Sequence, residues 1–183
     1  MVRPGIALYG GAGRLPGAHH RNINLRRVMS LRSKVVLIKK IPAGASIGYG
    51  RRFIASKPSM IATLPLGYGD GYCRGLSCGK AEILIRGRRA RVAGMICMDQ
   101  CMVDVTDIGV VNVGDEAVLF GKQGGDEITV EEIAGALGTI PHEVMCLISR
   151  RVPRIYMKNG SPISYINYIN QEYSYMAFSI NGS

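Results

Sequence analysis

The sequence predicts a mainly β fold, a small β-barrel or β-sandwich with short helices. Apolar segments recur at intervals of about ten residues, and glycine turns separate them, as is typical of such folds. The 24 glycines and 8 prolines are spread along the chain and therefore indicate many turns rather than a disordered tract. A single clear helical pattern follows the last of these segments.

Short apolar segments carry the strand prediction, because several of them are rich in β-branched residues. Two of them flank the turn Arg86-Gly87-Arg88, which predicts a β-hairpin. The segments are residues 2–9, 35–38, 60–66, 81–85, 89–93, 101–105 and 117–120.

The helical pattern begins after Thr129 and stops at Gly138. Thr129 and Glu132 have the spacing of a capping box, in which the hydroxyl accepts from a helical amide and the glutamate reaches back. Residues 142–148 are apolar at mixed spacing, so the pattern is compatible with either a helix or a strand. Residues 158–183 are rich in Ser, Asn, Tyr and Ile, and we expect a loosely ordered tail.

The composition narrows the class of protein. The formal charge is +10, but Lys and Arg are scattered and no Trp is present, so we expect no nucleic-acid partner. An anionic small-molecule site accounts for this charge equally well, and a binding module remains an alternative. No stretch has the roughly 18 apolar residues that span a bilayer, so we expect no membrane segment and a cytoplasmic location.

The five cysteines are an odd number without CxxC spacing. We therefore predict reduced, mostly buried thiols and no metal site.

Four local features suggest chemistry, although each also has an ordinary structural explanation. Arg3 lies in an apolar segment, where its charge must pair or face a site, and Gly5-Ile6 follows it. Tyr49 lies between two glycines, and a tyrosine acts as a base only where positive charge lowers its pKa from about 10. A packed turn tyrosine is the alternative.

The other two features are loops. Residues 67–71 read Gly-Tyr-Gly-Asp-Gly, but no helix pattern follows, so a dinucleotide-binding loop is not supported and a tight turn explains them. Asp99 lies between apolar segments, where an aspartate more often forms a turn or a helix cap than a catalytic group.

Together these motifs resemble the C-terminal half of alanine racemases, in the family's order, over residues 2–157. The matching segments are residues 2–10, 48–50, 67–71, 97–100 and 151–154.

This resemblance implies an N-terminal (β/α)₈ barrel that carries pyridoxal phosphate on a lysine, followed by a mainly β domain. Residues 1–29 would be the end of that barrel, including its last strand, and the linker. Residues 30–157 would be the C-terminal β domain and residues 158–183 the tail. The family works as a homodimer, in which the β domain of one subunit closes the barrel mouth of the other.

The resemblance also assigns the cofactor contacts. Arg3 would face the pyridine nitrogen of pyridoxal phosphate, and the amides of Gly5 and Ile6 would hold its phosphate. His142 stands where the family usually has a tyrosine that reaches the same phosphate. This departure puts the preference for alanine over serine in doubt.

Substrate contacts follow in the same way. Tyr49 would be the base that takes the α-proton of L-alanine, while the lysine serves the opposite face. Met98 would hold the substrate carboxylate through its amide, with Asp99 beside it, and Tyr68 would line the mouth of the site with Arg74 further out. Met95 stands where the family commonly has an arginine.

A barrel of roughly 220 residues should precede Arg3, and the resemblance leaves the cofactor lysine outside this chain. We therefore expect the chain to be inactive alone and to need a barrel domain as its partner. A non-catalytic dimerisation module is the remaining alternative.

Overall fold

The computed structural model describes residues 1, 3–11 and 25–175, and it describes side chains as far as residue 171. Within that part of the chain the fold is mainly β, as predicted. The strands are β1 Leu31–Lys34, β2 Leu37–Ile41, β3 Ser46–Ile47, β4 Phe53–Ile54, β5 Ser59–Leu64, β6 Glu82–Ile85, β7 Arg88–Ala93, β8 Cys101–Asp104, β9 Glu116–Gln123, β10 Asp126–Ile128, β11 Arg154–Lys158, β12 Ser161–Asn167 and β13 Glu172–Tyr175.

The helical segments are short. The α-helices are α1 Val130–Leu137 and α2 Pro141–Leu147, and 3-10 turns span Gly5–Tyr9, Tyr49–Arg51, Tyr68–Asp70 and Arg74–Leu76. No helix among the described residues is both long enough and apolar enough to cross a bilayer.

Eight strands form one antiparallel sheet in the order β1-β9-β6-β7-β8-β5-β2, with β10 paired to β9. Its two ends, β1 and β2, are joined by only Val35 and Val36, so the sheet must curl until its ends approach each other. Val35 is 1% exposed at this corner, and its amide bonds to the carbonyl of Asp115. The result is barrel-like.

The hairpin β6–β7 confirms the prediction. Arg86 and Gly87 have φ of 53° and 72°, and two left-handed residues form the two-residue turn that matches the twist of paired strands. Strand β6 is fully buried at Ile83, Leu84 and Ile85 and lies inside the sheet, between β9 and β7.

Helix α1 covers this core, and its N-terminus confirms half of the predicted capping box. The Thr129 hydroxyl accepts from the Glu132 amide at 3.0 Å, and Gly138 ends the helix with φ 73°. The Glu132 carboxylate does not reach back; it pairs with Arg89 at 2.6 Å. Arg89 also pairs with Asp126 at 2.8 Å, so one guanidinium joins β7, β10 and α1.

The predicted strand over residues 2–9 is wrong for the described residues, which form a 3-10 turn at Gly5–Tyr9. Pro4 has no N–H to pair with a neighbouring strand, and Gly5 turns the chain with φ 54°. The open assignment of residues 142–148 resolves as helix α2, with proline at its start.

The loosely ordered tail is also wrong for residues 158–175, where β12 and β13 extend β11 into a three-stranded sheet. Asn159 and Gly160 have φ of 50° and 79°, which is again the two-residue hairpin turn. The Asn-Gly pair was the signal for this hairpin. Residues 176–183 lie outside the described residues.

Candidate functional site

Tyr49 lies on a turn that presents its side chain outwards. The side chain is 72% exposed, so the alternative of a packed turn tyrosine is wrong within this chain. Gly48, Gly50 and Arg51 all have positive φ, and the Arg51 guanidinium donates to the Ser46 hydroxyl at 3.0 Å. A Cβ on Gly48 would come within 3.2 Å of the Met95 amide nitrogen, so the turn sits directly against that backbone.

Beside Tyr49 lies an open cavity of about 470 Å³ on the face of β2, β5 and β8. Its floor is mostly apolar, and Lys39, Thr63 and Gln100 add polar groups. The lining residues are Leu37, Lys39, Ile41, Ser46, Ile47, Gly48, Tyr49, Ile61, Thr63, Cys97, Gln100 and Met102.

The loop Cys97–Gln100 borders this cavity. The Cys97 amide donates to the Gln100 carbonyl at 2.9 Å, so the loop is a tight turn with Met98 and Asp99 at its tip. Met98 is 52% exposed, and its amide donates to no acceptor found within the described residues. Within the described residues, an unpaired backbone amide thus lies on the loop whose Cys97 and Gln100 line the Tyr49 cavity.

A second loop, Gly67–Gly71, which we call the tyrosine loop, is hydrogen-bonded to the first, Cys97–Gln100, which we call the Met98 loop. The Tyr68 amide donates to the Cys97 carbonyl at 3.0 Å, and the Gly69 amide donates to the Met98 carbonyl at 2.9 Å. A Cβ on Gly67 would overlap the Cys97 carbonyl, so this approach requires glycine. The half-exposed Tyr68 is therefore held next to Met98. The predicted tight turn here is confirmed as a 3-10 turn.

Arg151 joins both loops and was not singled out from the sequence. Its guanidinium hydrogen-bonds the Asp99 carboxylate and lies 3.4 Å from a carboxylate oxygen of Asp70. The hydrogen bond to Asp99, and then the charge of Asp70, raise the pKa of Arg151, so this side chain keeps its positive charge. The aspartate that the sequence placed beside Met98 is therefore paired rather than free.

The N-terminal residues form a separate group. Arg3 is exposed and forms no ion pair within the described residues. The amides of Gly5 and Ile6 begin a 3-10 turn and meet no backbone acceptor there, and a Cβ on Gly5 would meet nothing within 4 Å. These amides could hold a phosphate, because they are unpaired donors beside open space.

Helix α2 comes close to this group. Ile6 lines a small hollow together with Pro141 and Met145, and His142 is exposed on the same helix. The Tyr49 cavity is lined by neither Arg3, Gly5, Ile6 nor His142. The predicted site residues thus form two groups in this chain, with Tyr49, Tyr68, Met98 and Asp99 in one and the N-terminal residues in the other.

The cysteines only partly match the expectation of buried thiols. Cys101 is fully buried, and its desolvation, followed by the charge of Cys97, raises the pKa of its thiol to about 12. Cys97 is half-buried at the cavity, whereas Cys78 and Cys146 are exposed. All five thiols are free.

Comparison with known proteins decides the family. The model of the alanine racemase C-terminal domain matches residues 28–156, which is more than half of the chain. The chain belongs to the alanine racemase family. Among its relatives, the alanine racemase of Clostridium novyi is 53% identical and that of Clostridium kluyveri 48% identical, each over 171 residues.

Solved structures agree. Alanine racemase from Bacillus anthracis with bound L-Ala-P superposes with a TM-score of 0.85 at 36% identity, over 91% of this chain and 42% of that one. The Clostridium difficile enzyme in complex with cycloserine gives 0.83 at 41% identity, over 90% and 42% of the two chains. The two Clostridium relatives above are each matched over 92% of this chain but 43% of their own length, so the chain spans less than half of these racemases.

Proposed function

We propose that this chain supplies the C-terminal half of a pyridoxal-phosphate-dependent alanine racemase, with Tyr49 as one of two bases. One observation carries the proposal: the exposed phenol of Tyr49 lies on a turn beside a cavity that the Met98 loop borders. A base and a carboxylate-binding amide on adjacent loops are what α-proton transfer on an amino acid requires.

The substrate assignment rests on the family. The relatives are named alanine racemase, and the Bacillus anthracis protein was solved with L-Ala-P. Within this chain, the unpaired Met98 amide would bind the substrate carboxylate. Tyr49 would then take the α-proton from L-alanine or return it to form L-alanine, and Tyr68 would narrow the mouth of the site and exclude water.

The N-terminal residues fit the proposed cofactor. The amides of Gly5 and Ile6 would bind its phosphate, and His142 on the neighbouring helix could add a donor. Arg3 would face the ring nitrogen and, since a guanidinium does not give up its proton, would act only as a donor. Pyridoxal phosphate supplies the electron-withdrawing ring that makes the α-proton acidic.

We further propose that the active site needs a second chain. Tyr49 and the cofactor-binding group do not line one cavity here, although a racemase must bring them together. Head-to-tail pairing would place Tyr49 of one subunit over Arg3 and the barrel of the other. On this proposal residues 1–29 belong to the end of the barrel, the lysine lies outside this chain, and the chain alone is inactive.

The test joins this chain to the barrel portion of the Clostridium novyi racemase in place of that enzyme's own C-terminal half. We expect alanine racemisation from the assembled protein and none from the 183-residue chain alone. Tyr49→Phe should lower kcat by about 10²–10⁴-fold, which is the usual contribution of a positioned base.

Tyr156→Phe is the matched control, because Tyr156 is an exposed tyrosine on β11 outside the site. It should leave kcat unchanged. A fully active Tyr49→Phe protein would contradict the proposal, as would racemisation by the chain alone. An assembled dimer with no activity would favour the non-catalytic module.

Serine is the second candidate substrate, because His142 and Met95 both depart from the family pattern. A histidine at the phosphate and a missing arginine at the mouth change the shape and charge of the pocket. Measuring kcat/KM for alanine and for serine with the same assembled protein decides between them. We expect alanine to be preferred, and a higher value for serine would overturn that assignment.

A further inference from the structure

We infer that Arg151 is a positioning residue for substrate binding, which fixes the Met98 loop and cancels the charge of Asp99. This inference rests on the proposed function, in which the Met98 amide binds a carboxylate. Arg151 acts through the two loops, since the contacts that connect it to the site are with Asp99 and Asp70.

The anchor of this arrangement is Asp70. Its side chain is 13% exposed, its carboxylate accepts from the Gly67 amide at 2.9 Å, and its carbonyl accepts from the Ser149 amide at 3.0 Å. The tyrosine loop is therefore fixed to the segment that precedes Arg151. The guanidinium of Arg151 then contacts Asp99 on the Met98 loop.

Two glycines make room for this contact. A Cβ on Gly69 would overlap the Arg151 guanidinium, and a Cβ on Gly71 would overlap the Leu147 carbonyl. The backbone of the tyrosine loop is thus packed between the Met98 loop and the chain that follows α2. Because Gly69 also donates to the Met98 carbonyl, a shift of either loop displaces Met98.

Electrostatics gives Arg151 a second effect. Asp99 directly follows Met98, so its carboxylate lies near any anion bound by the Met98 amide. An unpaired aspartate there would repel a substrate carboxylate, and the hydrogen bond from Arg151 neutralises that charge. Lysine would not replace arginine fully, since a compact ammonium does not present the guanidinium's fork of donors to two carboxylates.

The experiment uses the assembled racemase described above and compares Arg151→Gln with the double variant Arg151→Gln/Asp99→Asn. We expect Arg151→Gln to raise the KM for alanine and the inhibition constant of propionate, a probe with only the carboxylate, by roughly tenfold. The double variant should recover the part of that loss that comes from the repulsive charge, while the part that comes from the freed loop remains. High salt should shrink the effect of Arg151→Gln in the same way.

A purely structural role predicts a different pattern. It would lower the melting temperature of Arg151→Gln, leave the propionate constant unchanged, and give no recovery with Asp99→Asn. Either an unchanged propionate constant in Arg151→Gln or a double variant no better than the single one overturns the inference. Asp99→Asn alone keeps an amide oxygen that can accept from Arg151, so it should bind propionate more tightly than the double variant.

Failure of the proposed function is recognised separately. If the parent protein does not racemise alanine, the proposed function is wrong, and amide hydrogen exchange still tests the positioning. Arg151→Gln should then speed exchange of the Tyr68, Gly69 and Cys97 amides, whose hydrogen bonds hold the two loops, by roughly tenfold while the buried strand β6 stays protected. Unchanged exchange of these three amides would overturn the positioning.

Discussion

At the scale of single residues, the candidate site depends on glycines, which allow the backbone to come closer than a side chain would permit. Gly48 brings the Tyr49 turn against the backbone of Met95, and Gly67 brings the tyrosine loop against Cys97. A side chain at Gly67 would collide with a carbonyl, and one at Gly48 would need an unfavourable positive φ. The glycines beside Tyr49 and Tyr68 are therefore needed to hold both turns against the neighbouring backbone.

Tyr72 offers a test of the core beside this loop. It is 2% exposed, and its hydroxyl finds no partner among the described residues. Removing an unsatisfied buried hydroxyl should be favourable, so Tyr72→Phe should raise the free energy of unfolding by about 1 kcal/mol. Urea titration measures this, with Tyr156→Phe as the exposed control. A loss of stability would show that the hydroxyl is satisfied.

The buried thiol of Cys101 predicts that the stability of the folded protein falls at alkaline pH. Burial raises the pKa of its thiol from 9.0 to about 12, so the folded state holds this proton more tightly than the unfolded state. The contribution of this thiol to the free energy of unfolding is therefore fully present below pH 9.0 and is lost as the pH rises towards 12. The buried phenol of Tyr72, whose pKa burial also raises, adds to the same loss.

Thiol alkylation checks the burial directly. Iodoacetamide at pH 8 should label the exposed Cys78 and Cys146 quickly and Cys101 only after unfolding, as read by mass spectrometry of the peptides. Replacing Cys101 with alanine should flatten the alkaline decline measured by urea titration. Labelling of Cys101 as fast as Cys78 would contradict the structure.

At the scale of elements, local patterns were sufficient where the chain itself fixes the conformation. The hairpin at Arg86-Gly87 and the cap at Thr129 depend on residues within a few positions of one another, and both were predictable. The Asn159-Gly160 pair is a local hairpin signal of the same kind. The Ser, Asn, Tyr and Ile content of residues 158–183 nevertheless favours the prediction of a loose tail. The strand over residues 2–9 failed because Pro4 and Gly5 outweigh an apolar pattern.

The cap of α1 gives a prediction at this scale. Thr129→Ala removes the hydroxyl that accepts from the Glu132 amide, which should cost about 1 kcal/mol in unfolding free energy. Thr129→Ser keeps the hydroxyl and should cost much less. Equal losses in the two variants would mean that the methyl group, and not the cap, stabilises the helix.

At the scale of the whole molecule, the candidate site combines residues far apart in sequence. Arg151 contacts Asp99, 52 residues away, and no local periodicity reveals such a pair. Family resemblance assigns proposed roles to Tyr49, Tyr68 and Met98 because their motifs are local, whereas Arg151 lies inside a matched motif without an assigned role. The role that we infer for Arg151 depends on how the sheet curls and brings the loops together.

The central claim is that Tyr49 serves one face of the substrate only. The most direct measurement is exchange of the α-proton of alanine in D₂O by the assembled Tyr49→Phe racemase, followed by NMR for each enantiomer. If the proposed lysine of the barrel serves the opposite face, exchange from D-alanine should persist, while exchange from L-alanine should fall by about 10²-fold or more. Exchange from L-alanine at the parent rate would contradict the claim.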